Sequence, residues 1–472
     1  MPANKTKFPP RSVFTSVFFL TFCISASVLY IIGPIFNLAG NFGGNDHDGY
    51  IELARNLLHG EGFVFKPGGP PSIHRPPAFP VFLIPAAILP DSLQQLGVII
   101  LNSAFLSGTA SLLYKFAIRY FNFRLAVIAV EILVLNPWLL WSIKNPMPGI
   151  FQMFLITAFI ALLLQLFARP EGLKKKSSLG SGIILGLAGG ILALAHGTML
   201  PIAFTVFVFF FIAGWVKKQR AWLKMTSMAL VVLILVVAPW TYRNWLVTDR
   251  FIPVVGNAGF TYFLGNSRWE LGGPDPAVNL PKKKSALFDK KTRGLLFAGI
   301  DRPRSEVLQF YGIIDPDLDA RLTQKAIHNV LDNPGLFVKK LFLNGMEYYF
   351  PVFYCLAVPE PNPMSKHSVL TRIFKDCRKD KLPESFYFLL LWILAGIGTV
   401  KAFTNKKTTT HFIILLGIIF LISFPYFPFL TYIGYSLYTF GTLPFLSILS
   451  ASGIVCVWNR FFEKTSLHRK LQ

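Results

Sequence analysis

Uncharged, mostly apolar runs of about 17 to 25 residues recur along the chain, and runs of that length cross the hydrocarbon of a bilayer as helices. They predict ten crossings, near residues 12–35, 95–118, 125–142, 149–168, 180–196, 198–214, 224–240, 385–402, 411–429 and 437–458. A shorter pattern lies between the first two. From Asp48 to Leu58 the apolar residues Tyr50, Ile51, Ala54, Leu57 and Leu58 recur at three and four, while Glu52, Arg55, Asn56 and His59 fill the other face. That spacing predicts an amphipathic helix lying on a membrane surface.

The polar connections fix the orientation. Lys5, Lys7 and Arg11, then Lys115, Arg119 and Arg124, then the segments RPEGLKKK, KKQRAWLK, KAFTNKK and NRFFEKTSLHRK hold 21 Lys or Arg against two carboxylates. All fall on one side of the ten-helix count, and an excess of Lys and Arg in short loops marks the cytoplasmic side. Both termini are thus expected in the cytoplasm, with segments 36–78, 143–148, 241–384 and 430–436 outside. The first apolar run is longer than a signal-peptide core and is read as an uncleaved helix.

Composition agrees with this class: of 472 residues 53% are hydrophobic and 15% charged. The net charge of +23 would suit a nucleic-acid surface, but its placement in short cytoplasmic loops makes it a topological signal, and no nucleic-acid partner is expected. The expected fold is an all-α polytopic membrane protein with interfacial helices. Residues 1–240 form a transmembrane core that includes the first outer loop, 241–384 a mixed extracytoplasmic domain, and 385–472 the C-terminal transmembrane helices. Cys23 and Cys456 lie in predicted helices, Cys355 and Cys377 share the outer side and are able to pair, and no Cys/His cluster has structural zinc spacing.

Candidate chemistry concentrates in the first outer loop. An Asp before a helix is usually its N-cap. Asp48, next to the first periodic residue, is the better cap, which leaves Asp46 without a comparable structural duty. Gly60 and Gly62 end the helix, and FVFKPGGPPSIHRPPAFPVFLIP follows. Its prolines stiffen the backbone and present Arg75 on an extended segment.

Asp46 and Tyr50 in a D-x-x-x-Y pattern, then ELARNLLHGEGF and HRPPAFPVFL, resemble the first outer loop of the C-type (GT-C) membrane glycosyltransferases. Those of the bacterial aminoarabinose transferase and protein O-mannosyltransferase type are the nearest in pattern. APWTYRNWLVTDRFIPVVGNAGFTYFLGNS, from Ala238 to Ser267, is similar to the stretch by which a helix of that superfamily enters a large outer domain. DPDLDARLTQKAIHNVLDNPGLFVKK resembles a later amphipathic helix and its Asn-Pro stop. The resemblance covers residues 1 to about 340 and implies a GT-C fold. It also implies transfer of a sugar from a polyprenyl-phosphate donor to a lipid, glycan or protein acceptor at the outer face of a bacterial inner membrane.

Such a reaction needs a base for the acceptor and cations for the phosphate. Asp46, by resemblance and position, is the expected catalytic base, and direct displacement implies inversion at the anomeric carbon. Arg75 matches the basic residue before Pro-Pro in the family's loop. Arg243, beyond Trp240 at the outer end of a helix, is the second cation expected at the phosphate, because a guanidinium fork meets two oxygens at once. Anchoring at the headgroup level is the alternative for both. Asp48, Tyr50, His74 and His196 are expected around the substrate, and Lys66 is able to add charge. His196 interrupts an apolar helix pair where relatives often carry Arg. No cofactor is required and no metal site is indicated, although Asp46 and Asp48 are close enough to share a divalent ion.

Two departures matter. The loop WSIKNPMPGIFQM offers Lys144, Asn145 and Gln152 where relatives often carry a carboxylate, and Leu437 precedes Tyr438 where an Arg-Tyr pair is usual, with Gly441 near the expected proline. Two rivals stay open: a transporter or flippase of lipid-linked sugars, and a non-catalytic envelope assembly protein on the same scaffold. Further along, Asp315-Pro316 predicts a helix start, with an apolar face of Leu318, Leu322, Ala326, Ile327 and Val330 and a stop at Asn333-Pro334-Gly335. PKKKSALFDKKTRG reads as a solvated loop or a site for anionic headgroups. Residues 336–357 are expected to form an interfacial helix.

Overall fold

In the computed structural model the described residues are 11–27, 46, 48–167, 175–266, 316–349, 382–404, 406–427 and 440–470. They form helices and connecting turns, with no strand among them. Cys355 and Cys377, which share the expected outer side, the basic run at 281–294 and the Leu437-Tyr438 pair lie outside the described residues. In chain order the helices are α1 (Arg11–Ser27), α2 (Tyr50–Leu58), α3 (Ala78–Ala87), α4 (Asp91–Tyr120), α5 (Phe123–Val134), α6 (Pro137–Ser142), α7 (Gly149–Phe167) and α8 (Lys175–Ala195). They continue as α9 (Met199–Val216), α10 (Arg220–Thr248), α11 (Ala258–Gly265), α12 (Pro316–Asp332), α13 (Pro334–Tyr349), α14 (Leu382–Phe403), α15 (Lys406–Ser423) and α16 (Leu443–Lys470).

Among the described residues eight helices are long and apolar enough to cross a membrane: α4, α7, α8, α9, α10, α14, α15 and α16. The chain is an integral, multi-pass membrane protein. Large apolar side chains on the rim of the bundle, such as Phe209, Trp215, Ile234 and Leu235, are exposed, as expected where lipid is the solvent. By contrast, 72% of the apolar window of α16 is buried against 28% for α14, so α16 runs through the middle of the bundle.

The first expected crossing is helical from Arg11 to Ser27, and the rest of it lies outside the described residues. The stretch at 125–142 breaks between α5 and α6, because Pro137 has no N–H to donate and Asn136 turns its side chain into a cap, accepting from the N–H groups of Trp138 and Leu139 at 3.0 and 3.1 Å. The end of α10 moved the other way. The helix expected to stop at residue 240 passes through Pro239 and ends at Thr248, where Asp249 takes a left-handed φ of 52°. The helix continues although Pro239 has no N–H to donate, and Trp240 and Arg243 both lie on α10.

Close approach between α8 and α10 depends on glycines spaced by four. A Cβ on Gly182, Gly186 or Gly190 would meet the Met225 carbonyl oxygen at 2.5 Å, the Ala229 carbonyl oxygen at 2.6 Å and the Val236 Cβ at 2.6 Å. Small residues at that spacing let helix backbones touch in a medium where hydrophobicity gives no drive to associate. Gly186→Leu should therefore lower the thermal unfolding midpoint of the detergent-solubilised protein, since overpacking costs about 1–3 kcal/mol or more. An unchanged midpoint would show that the two helices separate freely.

Candidate active site in the first loop

The turn before α2 differs from the sequence expectation. Asp46, not Asp48, caps the helix: its carboxylate accepts from the N–H groups of Tyr50 and Ile51 at 2.8 Å each and of Glu52 at 3.4 Å. The cause is Gly49, whose φ of 71° folds the chain back so that the more distant carboxylate reaches the helix end. Such a φ suits glycine. Asp48 is then released sideways to pair with Arg75, which donates from Nη2 to its carboxylate and from Nε, at 3.3 Å, to its carbonyl.

The helix is also more enclosed than a surface-lying stripe. Tyr50, Ile51 and Ala54 pack with Phe79, Leu83 and Phe151, while Leu53 packs with Phe63 and Phe65. Asn56, expected on the polar face, is buried and donates to the Val64 carbonyl at 2.7 Å, whereas Leu58 is exposed. Positive φ at Gly60 and Gly62 turns the chain out of the helix as expected. Helix α3 begins immediately after Pro77, closing the extended segment that holds Arg75.

Arg75 is the hub of the cluster. Its guanidinium lies 5.2 Å from the centre of the Tyr50 ring, an arrangement in which the ring face attracts the cation. Both it and Asp48 are largely covered, at 14% and 25% side-chain exposure. Burial first, and then the charge of Arg75, hold the His74 imidazole well below its ordinary pKa. The same two causes, in the same order, push His196 down to about 4, which puts the turn between α8 and α9 within electrostatic reach of Arg75. Asp46 moves the opposite way. Burial raises its carboxyl to about 6, the three backbone N–H groups oppose that rise, and the neighbouring charge of Asp48 adds to it.

Asp46, Asp48, Tyr50, His74, Arg75 and His196 are therefore brought together. Arg243 is placed elsewhere: it donates to the Ser72 carbonyl at 2.7 Å and to Asn244 at 3.1 Å, and stacks over Trp240 and Phe63 at 4.8 and 5.7 Å. Around it Trp240 donates to the Val254 carbonyl at 2.8 Å, and Gly256 N–H donates to the Ile73 carbonyl at 2.9 Å. These bonds clamp the first loop to the end of α10 and to residues 252–257. Lys66 is exposed on the turn at Gly68.

A second group of polar residues, apart from Gln152 and His196, escaped the sequence reading. Gln152 donates to the Tyr426 hydroxyl at 2.8 Å, Thr198 donates to the same hydroxyl at 3.3 Å, and His196 Nδ1 lies 2.8 Å from Thr198 Oγ1. Tyr348 of α13 stacks on Tyr426. Gln152 stands where the resemblance leads one to expect a carboxylate, and that departure was the available signal. Among the described residues no group of three or more His, Cys, Asp or Glu side chains is disposed to hold a metal ion.

No protein-family model and no curated protein matches the chain. Solved structures do. The archaeal oligosaccharyltransferase AglB from Archaeoglobus fulgidus, in complex with an inhibitory peptide and a dolichol-phosphate, aligns over 98% of this chain at a TM-score of 0.54 and 15% identity. The same organism's oligosaccharyltransferase tethered to an acceptor peptide aligns over 98% at 0.52 and 16%. The chain has the GT-C fold. It spans about half the length of these structures, 52% and 51%, so the likeness concerns the membrane fold and not their whole activity. ArnT from Cupriavidus metallidurans aligns over 94% of this chain and 76% of its own length, at a TM-score of 0.37 and 12% identity. Within the GT-C fold, the carboxylate and guanidinium cluster sits on the first loop.

Proposed function

We propose that this chain is an inverting glycosyltransferase that moves a sugar from a polyprenyl-phosphate donor to an acceptor hydroxyl or amine at the outer face of a bacterial inner membrane. Both termini then lie in the cytoplasm, and the acceptor is a lipid, a glycan or a protein. The observation that carries the reading is the convergence of Asp46 and Arg75 in one partly covered cluster on the first loop of a GT-C fold.

The roles follow from charge and geometry. Asp46 takes the proton of the acceptor as its oxygen or nitrogen bonds to the anomeric carbon. The bond from that carbon to the phosphate oxygen breaks, and the carrier departs as polyprenyl phosphate. A carboxyl raised to about 6 is ionised at neutral pH yet holds a proton better than an ordinary aspartate, and a base is most effective when its pKa lies near the working pH. Capping does not preclude this, because each carboxylate oxygen has two lone pairs and Oδ1 accepts a single bond within the cap. Arg75 faces the departing phosphate, held by Asp48 and the Tyr50 ring. Arg243 serves in this reading by fixing the loop that carries Arg75. Helix α13, with Val338 and Phe342 exposed and Lys340 buried against Asn266, rests at the lipid interface.

The test is the stereochemistry of transfer. Purified protein given membrane-extracted lipid-linked sugars should yield a product whose anomeric configuration, read by NMR, is opposite to the donor's. Retained configuration would require a covalent intermediate and contradict the mechanism, and lack of transfer with every acceptor class would contradict the function.

A further inference from the structure

Helix α5 turns a carboxylate outward, where a membrane helix meets lipid. Its buried side chains Leu125, Ala126, Ala129 and Leu133 pack into the core of the bundle. Arg124 and Glu131 are exposed, and so is Leu135 just past the end of the helix. These three recur at seven and four and form one stripe. Rotation of α5 is fixed, because its opposite face is buried and the Tyr387 hydroxyl of α14 donates to the carbonyl of Ile132, next to Glu131, at 3.1 Å. Glu131 therefore points out of the bundle. Arg124 stands beside the turn that joins α4 to α5, close along the chain to Arg119. Glu131 lies seven residues further on, about 10 Å deeper into the apolar layer. Among the described residues no cation pairs with it. A carboxylate at such a depth is costly against hydrocarbon, and as a rule it meets a partner there.

We propose that the Arg124–Glu131–Leu135 stripe of α5 is a docking face for a membrane-spanning helix of another protein, apolar but for a Lys or Arg that meets Glu131 inside the bilayer. Charge complementarity selects this occupant. Two copies of this chain share one orientation in a membrane and would meet on this face about an axis along its normal, which sets Glu131 against Glu131. A second copy therefore brings the wrong charge. Lipids carry their amines at the headgroup level, where Arg124 already supplies positive charge. Arg124 also sets the register, since a cation of the partner is repelled at that level and accepted about two turns deeper. The inference stands on the membrane topology and is independent of the glycosyltransferase reading.

A synthetic helix supplies the probe. Full-length protein carrying a donor fluorophore is reconstituted in phosphatidylcholine vesicles with an acceptor-labelled Leu/Ala peptide of about 23 residues, bearing a single lysine about 10 Å inside one end. Energy transfer should report association about 5- to 30-fold tighter than for the same peptide with leucine at that place, the range of polar contacts between model membrane helices. Glu131→Leu should remove the preference and leave the thermal unfolding midpoint unchanged or raised, because the new side chain suits lipid. Glu131→Gln, which keeps the shape and loses the charge, should retain only part of it. Equal association of the two peptides, or a lysine preference that survives Glu131→Leu, would overturn the proposal. So would energy transfer between donor- and acceptor-labelled copies of this chain that disappears in Glu131→Leu, because the occupant would then be a second copy. In membranes of the source organism, a photo-crosslinking phenylalanine analogue at Leu135 should yield an adduct whose partner segment holds a basic residue within its apolar span, and Glu131→Leu should abolish that adduct. Adducts with lipid alone would contradict the inference.

Discussion

Asp46→Asn should lower sugar transfer by about 10²- to 10⁴-fold, the usual contribution of a general base, while leaving the protein folded. The separation is possible because Asp46 has two duties. As a cap it accepts from three backbone N–H groups of α2, and asparagine is about as good a cap as aspartate. As a base it must carry a proton away, which an amide does not do. Asp46→Ala removes both, so it should match the asparagine variant in activity and in addition lose about 1 kcal/mol of stability. Transfer by Asp46→Asn at the wild-type rate, with Asp46→Ala merely unstable, would reduce this residue to a cap.

Arg75→Gln should weaken binding of undecaprenyl phosphate by about 10- to 100-fold, from the about 1.5–3 kcal/mol that a hydrogen bond to a charged group contributes. Arg75→Lys should recover part of the loss, because it restores the charge without the planar fork. The pairing with Asp48 sets the control. Deleting Arg75 leaves a mostly covered carboxylate without its cation, which harms the loop by itself, whereas Asp48→Asn keeps the cation and removes its competitor. Carrier binding should therefore survive Asp48→Asn and fail in Arg75→Gln. The reverse ranking would mean that Arg75 anchors the loop and does not meet phosphate.

The parts of this site that sequence made legible are the local ones. Helix α2, its glycine stop and the Pro-framed presentation of Arg75 follow from spacing and backbone chemistry within some thirty residues. What failed locally failed for a local reason: Gly49 between Asp48 and Tyr50 allowed a left-handed turn, and nearness along the chain then ceased to decide which aspartate caps. The end of α10 moved for another reason: the apolar run stops near residue 240, but Trp240, Thr241 and Asn244 donate to the carbonyls of Val254, Pro253 and Ile252, and the helix runs on to Thr248. The clamp of Arg243 on Ser72 spans 171 positions and the bond of Gln152 to Tyr426 spans 274. Hydrophobic periodicity says which face of a helix is inward, but not which polar group across the bundle will meet it. Those contacts became visible only once the helices were packed.

The central claim is that an ionised Asp46 takes the acceptor's proton, and the pH dependence of kcat/KM tests it most directly. Burial raises this carboxyl to about 6, so its working, deprotonated form is lost as pH falls through that value and complete well above it. The account predicts an acidic limb centred near pH 6 in the wild type, and its disappearance from the residual activity of Asp46→Asn. A profile flat across that range, or an acidic limb that persists unchanged in the asparagine variant, would contradict it.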